Sequence, residues 1–265
     1  MTDIQIVVIA VIQGLTEFLP VSSSGHLVIA PDLLGWRDQG LIIDIAVHVG
    51  TLGAVIIYLW RDIWLMLKGL AKVGKLEGNS GLYLLVNIIL GTIPIVIAGA
   101  LIYRYAGSAL RNIEVVAWAT LGFAVLLYIA DKYSVTINRV EHLTWGRALF
   151  IGMAQIFALI PGASRSGTVI TMARWLGFER REAARFSLLL SIPAIIGAGV
   201  IAIVDVIQLG SESMLSDFVL AAILSFISAL ISVFVMMSWL RKSTFMPIIV
   251  YRFGLGIILL FWVYQ

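Results

Sequence analysis

The sequence has no cysteine and little charge. Asp, Glu, Lys and Arg make up 12% of its 265 residues, roughly half the soluble norm of about 25%. Without cysteine a disulfide scaffold is excluded. The same figures exclude a disordered, coiled-coil or collagen-like chain. No secretory leader is expected: Asp3 stands where a basic stretch belongs, and no small-residue cleavage pattern follows. Targeting is therefore expected from the first membrane segments. What is present is apolar: 61% hydrophobic residues and a mean hydropathy of +1.04. A soluble fold of this size cannot hide that much apolar surface. The class is an all-α polytopic membrane protein.

A helix crossing a ~30 Å hydrocarbon core needs about 20 apolar residues. Six stretches qualify: 41–60, 82–103, 113–130, 184–204, 218–239 and 246–264. Two regions, 4–35 and 148–177, are instead broken by polar tips, at Pro20–His26 and Pro161–Gly167. Each arm covers about half a bilayer at 1.5 Å per residue. Two half-helices around such a tip predict a re-entrant hairpin, which is tolerated only where it is buried in protein or lines a wet cavity. Shifted by 142 positions, the two regions align without a gap: Gln13 with Gln155, Ser22 with Ser164, Ser24 with Ser166, Gly25 with Gly167. One membrane domain, 1–265, is thus expected to hold two repeats, 1–130 and 147–265, each a hairpin followed by three spans. Three is odd, so the second repeat is inverted, an arrangement that marks a central polar site.

Charge placement orients the chain. Thirteen of the eighteen Lys and Arg fall on one side of these spans. Arg37, Arg104 and Arg111 fall on the other, and the loop of Asp205, Glu212 and Asp217 there has no basic residue. The basic side is expected in the cytoplasm and both termini outside it. The net charge of +3 and pI near 9.3 then follow from orientation, and nucleic acid is not an expected partner.

Ionisable groups at membrane depth default to function. Glu17 follows Gln13 by four residues, on one helix face. It is a candidate base or metal ligand. Ser22, Ser23, Ser24, Gly25 and His26 come next, at a helix start. Free N–H groups and the helix dipole make an anion site there, and His26 can move protons near neutral pH. Arg165 lies in the opposite tip, between Ser164 and Ser166, where its guanidinium can pair with Glu17 or take two phosphate oxygens. Asp44 and His48, four apart on the first span, are read as a pair supporting the site or belonging to it. Arg252, on the last span, pairs with a headgroup or another helix. Small residues on the spans, such as Gly91 and Gly99, permit helix contacts and leave a homodimer open. Trp36, Trp60, Trp64, Trp145 and Trp175 read as interfacial anchors.

The run Gln13-Gly14-Leu15-Thr16-Glu17-Phe18-Leu19-Pro20-Val21-Ser22-Ser23-Ser24-Gly25-His26 resembles the N-terminal signature of the undecaprenyl-diphosphate phosphatases of the bacitracin-resistance type. Pro161-Gly162-Ala163-Ser164-Arg165-Ser166-Gly167 resembles their second signature. There are two departures: Gln13 is Glu in many members, and Ala163 stands where Thr is usual. The resemblance implies hydrolysis of a C55 isoprenoid diphosphate to the monophosphate and phosphate at the outer face of the bacterial inner membrane. It implies a divalent cation, Mg²⁺ or Ca²⁺, recycling of the carrier for peptidoglycan synthesis, and bacitracin resistance. Its functional residues fall on Glu17, Ser22, Ser23, His26 and Arg165. The nucleophile stays open between Ser23, His26 and an activated water. A transporter or a non-catalytic binder of lipid diphosphates remains the rival.

Overall fold

The computed structural model describes residues 2–72, 78–105, 112–209 and 215–265, with side chains described for 2–72, 78–102, 112–200 and 215–265. Lys75, Arg104, Arg111, Asp205 and Glu212, used above for orientation, lie outside the described residues or side chains. Eleven α-helices follow in order among the described residues. They are α1 Asp3–Thr16, α2 Ser23–Leu34, α3 Gly40–Tyr58, α4 Trp60–Leu70, α5 Ser80–Tyr105, α6 Ile113–Tyr133, α7 Trp145–Gln155, α8 Arg165–Trp175, α9 Arg180–Leu209, α10 Leu215–Trp239 and α11 Met246–Val263.

Local sequence sets the breaks. The N-terminus of α1 is closed by a capping box between Thr2 and Gln5. The helix stops short of Pro20, whose ring removes a donor and bars the residue before it from helical geometry. Gly35, at φ +64°, ends α2 in the left-handed conformation that glycine adopts without strain. Helices α3, α5, α6, α9, α10 and α11 are long and apolar enough to cross a membrane. They expose large side chains such as Ile97, Phe234, Ile257 and Phe261, which a soluble surface does not carry in such number. The protein is a multi-pass membrane protein.

The two regions related by the 142-residue shift pack in a related way. Helix α1 lies on α10 and α7 on α5; α3 meets α9, and α6 meets α11. Every one of these pairs joins a helix of residues 3–133 to one of residues 145–263. A single core accordingly mixes Val55, Ile88 and Leu127 with Ile151, Val169, Leu189 and Val233. Lipid tails are as apolar as leucine, so close backbone approach and interhelical hydrogen bonds carry the packing. Gly50 brings α3 against Ala222 of α10, and Gly152 brings α7 against Gly91 of α5. Ser225 and Ser232 of α10 donate to the carbonyls of Val47 and Leu15, each at 2.8 Å. Gly91 is thus used inside the chain rather than as a free face for a second copy.

The structure adds detail to the basic side. Residues 60–70, which begin at the end of the expected span 41–60 and carry Arg61 and Lys68, form the amphipathic helix α4, with Arg61 over Trp60 and Lys68 over Trp64. Arg174 and Arg180, counted with the loop charges, are structural. Arg174 is fully buried and meets Asp131 at 3.3 Å; Arg180 meets the same carboxylate at 2.7 Å. Asp131 also accepts from the Phe245 N–H at 3.2 Å, so one carboxylate joins α6, α8, α9 and the start of α11. Asp131→Asn leaves the Arg174 charge buried without its counter-ion. It should cost about 3–5 kcal/mol, read as a large fall in melting temperature in detergent with the helix content retained below it.

Candidate active site

The two polar tips meet. Ser22 and Ser164 are the N-caps of α2 and α8, and each side chain accepts the N–H of the glycine three residues on, Gly25 at 3.3 Å and Gly167 at 3.1 Å. They are the only non-glycine residues with positive φ among those described, at 74° and 72°. Such strain, about 1–3 kcal/mol per residue, persists only where surroundings over-determine it. Here they do. Gly162 N–H donates to Ser22 Oγ at 3.1 Å, and Ser166 Oγ donates to the Leu19 carbonyl at 2.8 Å. Arg252, fully buried on α11, donates to the carbonyls of Pro20 in one tip and Gly162 and Ala163 in the other, at 2.9, 3.0 and 3.2 Å.

Glu17 sits at the junction, 8% exposed. Its Oε2 accepts from Ser23 Oγ at 2.6 Å and from Gln13 Nε2 at 2.9 Å; its Oε1 accepts from Arg165 Nη2 at 2.9 Å. His48 Nε2 lies 4.0 Å from Oε2. A hydroxyl held on a carboxylate is the geometry of a nucleophile and its base. The guanidinium of Arg165 spends one arm on Glu17, while its Nη1 is buried without a partner.

Glu17, His48 and Arg165 form the polar end of a cavity of about 440 Å³. Its walls come from α3, α5 and α9 and the turn before the second tip: Leu41, Ile95, Val96, Leu159 and Ile195, with the small Gly99, Ala100, Ala194, Gly197 and Ala198. Charged groups at one end and apolar walls elsewhere suit an amphiphile with an anionic head.

Several expectations shift in detail. His26 does not join the Glu17 cluster. Its Nδ1 is 2.7 Å from the Ser22 carbonyl and its Nε2 is 2.6 Å from Tyr251 Oη, with the two rings stacked. A carbonyl only accepts, so Nδ1 carries the hydrogen and neutral Nε2 accepts from the phenol. The N–H groups of Gly25 and Gly167 are taken by the caps. The helix N-termini therefore offer an anion the N–H pairs of Ser23 and Ser24 and of Arg165 and Ser166 instead. The glycines answer to packing: a Cβ on Gly25 would press on Val116, and one on Gly167 would stand 2.9 Å from Arg252 Nη1. Ser24 is exposed, with Oγ 3.3 Å from Ser22 Oγ; Ser164 and Ser166 pair at 3.1 Å. Asp44 and His48 touch through the main chain, His48 Nδ1 donating to the Asp44 carbonyl at 2.6 Å, while the Asp44 carboxylate accepts from Gln39 at 2.8 Å. Arg252, left open between a headgroup and another helix, serves the tips. Tyr251 was not singled out by sequence; a tyrosine on a lipid-rich helix carries no cue to a partner 225 residues away.

The donor set fits a divalent cation shared with substrate. Among the described residues no three His, Asp or Glu cluster as a closed metal cage. Glu17 is one hard carboxylate, and the neighbouring Gln13 Oε1 is a buried acceptor without a partner. One carboxylate plus substrate phosphate oxygens is an ordinary Mg²⁺ arrangement.

The chain is similar to known proteins along nearly its whole length. Residues 6–258 match the family model described as bacitracin resistance protein BacA. An undecaprenyl-diphosphatase of Roseobacter denitrificans is 46% identical, each chain covered in full. Undecaprenyl-diphosphatase 1 of Rhodospirillum rubrum is 45% identical over 97% of this chain and 94% of that one. The undecaprenyl-diphosphatase of Ruegeria pomeroyi is 45% identical over 98% of each. Matched across nearly its whole length, with both polar tips inside the match, the chain belongs to the BacA bacitracin resistance family.

Proposed function

We propose that this protein hydrolyses undecaprenyl diphosphate to undecaprenyl phosphate and inorganic phosphate, recycling the lipid carrier for peptidoglycan synthesis and conferring bacitracin resistance. The observation that carries the reading is the Ser23–Glu17–Arg165 constellation at the polar end of an apolar-walled cavity. The names of full-length relatives support it.

The isoprenoid tail stays among apolar walls and lipid while the diphosphate enters the tips. Phosphoryl transfer needs mainly positioning and charge stabilisation. Arg165, through Nη1, and the N–H pairs at the starts of α2 and α8 hold the terminal phosphate. Glu17 takes the Ser23 proton as Oγ forms a bond to phosphorus, and the bridging P–O bond breaks with undecaprenyl phosphate leaving. Water then attacks phosphorus of the phosphoserine, the Oγ–P bond breaks, inorganic phosphate leaves with the water's oxygen, and Ser23 Oγ takes back its proton from Glu17. His26 braces the start of α2 through the Ser22 carbonyl and Tyr251 and stands outside this proton transfer. Ser23 is favoured over His26 as nucleophile because its oxygen lies on the carboxylate, whereas His26 Nε2 faces Tyr251. Glu17 and Gln13 Oε1 would hold Mg²⁺ or Ca²⁺, which supplies charge neutralisation on the diphosphate. A transporter needs binding groups but no serine–carboxylate pair, so the site favours hydrolysis over transport.

In the same reading the chain lies in the bacterial inner membrane with re-entrant tips, inverted repeats, both termini outside the cytoplasm and a site open to the outer face. The asymmetry of basic residues supports this. The natural absence of cysteine makes it testable. A Cys at Ser243, beside Arg241 and Lys242, should be labelled by an impermeant maleimide only after the membrane is opened. A Cys at Gln265 should be labelled in intact spheroplasts. The reversed pattern overturns the orientation.

The activity itself is read as phosphate release from undecaprenyl diphosphate in detergent with Mg²⁺ or Ca²⁺, then with EDTA. Release with cation and its loss in EDTA is the expected result. No release under any condition would return the protein to the transport or binding reading.

A further inference from the structure

Among the described residues two arginines are fully buried, and they are neutralised differently. Arg174 has the Asp131 carboxylate. Arg252 has no carboxylate within ion-pair distance among the described residues. Its guanidinium donates only to main-chain carbonyls: Nε to Thr120 at 3.3 Å, Nη1 to Pro20 at 2.9 Å, and Nη2 to Thr120, Gly162 and Ala163 at 3.0–3.3 Å. A buried cation without a counter-ion is costly. Here the fork of five N–H donors gathers oxygens from α6 and from both tips, which no other side chain can do from one point. Its Nη1 also abuts the start of α8, where a Cβ on Gly167 would stand 2.9 Å away.

We propose that Arg252 is a positioning residue of the phosphatase site, setting the placement of one tip against the other. The argument runs through the caps. Ser22 and Ser164 are held at positive φ, and the carbonyls pinned by Arg252 lie one or two residues before them, Pro20 ahead of Ser22 and Gly162 with Ala163 ahead of Ser164. The caps in turn fix Ser23 and Arg165, the first residues of α2 and α8. These two side chains reach Glu17 from opposite tips, at 2.6 and 2.9 Å. Arg252 touches none of the reacting atoms. Its effect is the register between a nucleophile on one tip and a phosphate-holding cation on the other, where an error of about 1 Å can cost on the order of 10²-fold in rate. Lysine keeps the charge but reaches one point with three donors. Methionine keeps neither.

The proposal rests on the phosphatase reading for its kinetic arm, and a second arm is independent of activity. In the purified full chain, Arg252→Lys should remain folded and helical, lose about 10²-fold in kcat, and change KM by less than about threefold. Arg252→Met should lose at least as much. For the second arm, spin labels go on Leu33→Cys of α2 and Trp175→Cys of α8, both exposed positions, in the naturally cysteine-free chain. Their distance distribution should be narrow with Arg252 and broadened or shifted in Arg252→Lys. Wild-type kcat together with an unchanged distribution overturns the proposal. So does failure of both variants to fold, which would make Arg252 a residue of the fold alone. If the wild-type chain releases no phosphate, the phosphatase reading fails by itself, and the distance arm still decides whether Arg252 sets the register.

Discussion

Replacing Glu17 with glutamine should abolish phosphate release, by 10³-fold or more, although the side chain keeps its shape. The carboxylate has two roles that an amide cannot fill. It accepts the Ser23 hydroxyl at 2.6 Å, and loss of a general base alone costs about 10²–10⁴. It is also the counter-ion of Arg165 at 2.9 Å, both side chains being largely buried. Removing one member of a buried pair strands the other, at about 3–5 kcal/mol. Activity and melting temperature should therefore fall together in Glu17→Gln. In Ser23→Ala only activity should fall, because Glu17 keeps Gln13 and Arg165. Stability loss without activity loss in Glu17→Gln would contradict the assignment of base.

The second large effect is expected at Arg165. Arg165→Ala should be inactive, and Arg165→Lys should keep no more than about one part in 10². The guanidinium divides its arms between Glu17, through Nη2, and a phosphate, through the unpartnered Nη1. Lysine offers a point charge and cannot hold two partners in that fork geometry. Arginines that stabilise transferring phosphoryl groups are worth about 10³–10⁵ in rate. Full activity in Arg165→Lys, measured as phosphate release at saturating lipid diphosphate, would remove the divided-fork role.

The spans were legible because hydrophobic length is a one-dimensional signal: 218–239 and 246–264 meet helices Leu215–Trp239 and Met246–Val263. The stretch 60–70 was not, because Trp and Leu there alternate with Arg, Asp and Lys. Its two faces become distinct only when α4 lies against α5. The motif residues announced themselves as polar groups where lipid is expected, and Glu17, Ser23 and Arg165 do meet. What sequence could not carry is who holds whom. Arg252 stood out as a charge in a span, yet its partners are carbonyls, which leave no mark in a sequence. His26 was grouped with Glu17 by proximity along the chain, but one helical turn directs it to Tyr251.

The repeat explains part of this division. Shifted by 142, Ser22, Ser24 and Gly25 fall on identical residues, while Ser23 falls on Arg165 and Glu17 on Leu159. The capping frame is duplicated, with matching strain at Ser22 and Ser164. The chemistry is not: one tip supplies the hydroxyl and carboxylate, the other the cation.

The central claim is that Ser23, activated by Glu17, is the atom that attacks the terminal phosphate. It is tested most directly by rapid quench in detergent denaturant at neutral pH, where both phosphoserine and phosphohistidine survive, of the enzyme with undecaprenyl diphosphate labelled in its terminal phosphate, followed by peptide mapping at the same pH. The account predicts a transient phosphoserine at Ser23, absent in Ser23→Ala and Glu17→Gln. Label on His26 would transfer the nucleophile to that residue. Turnover with no labelled enzyme at any quench time would contradict the covalent mechanism and leave a directly activated water.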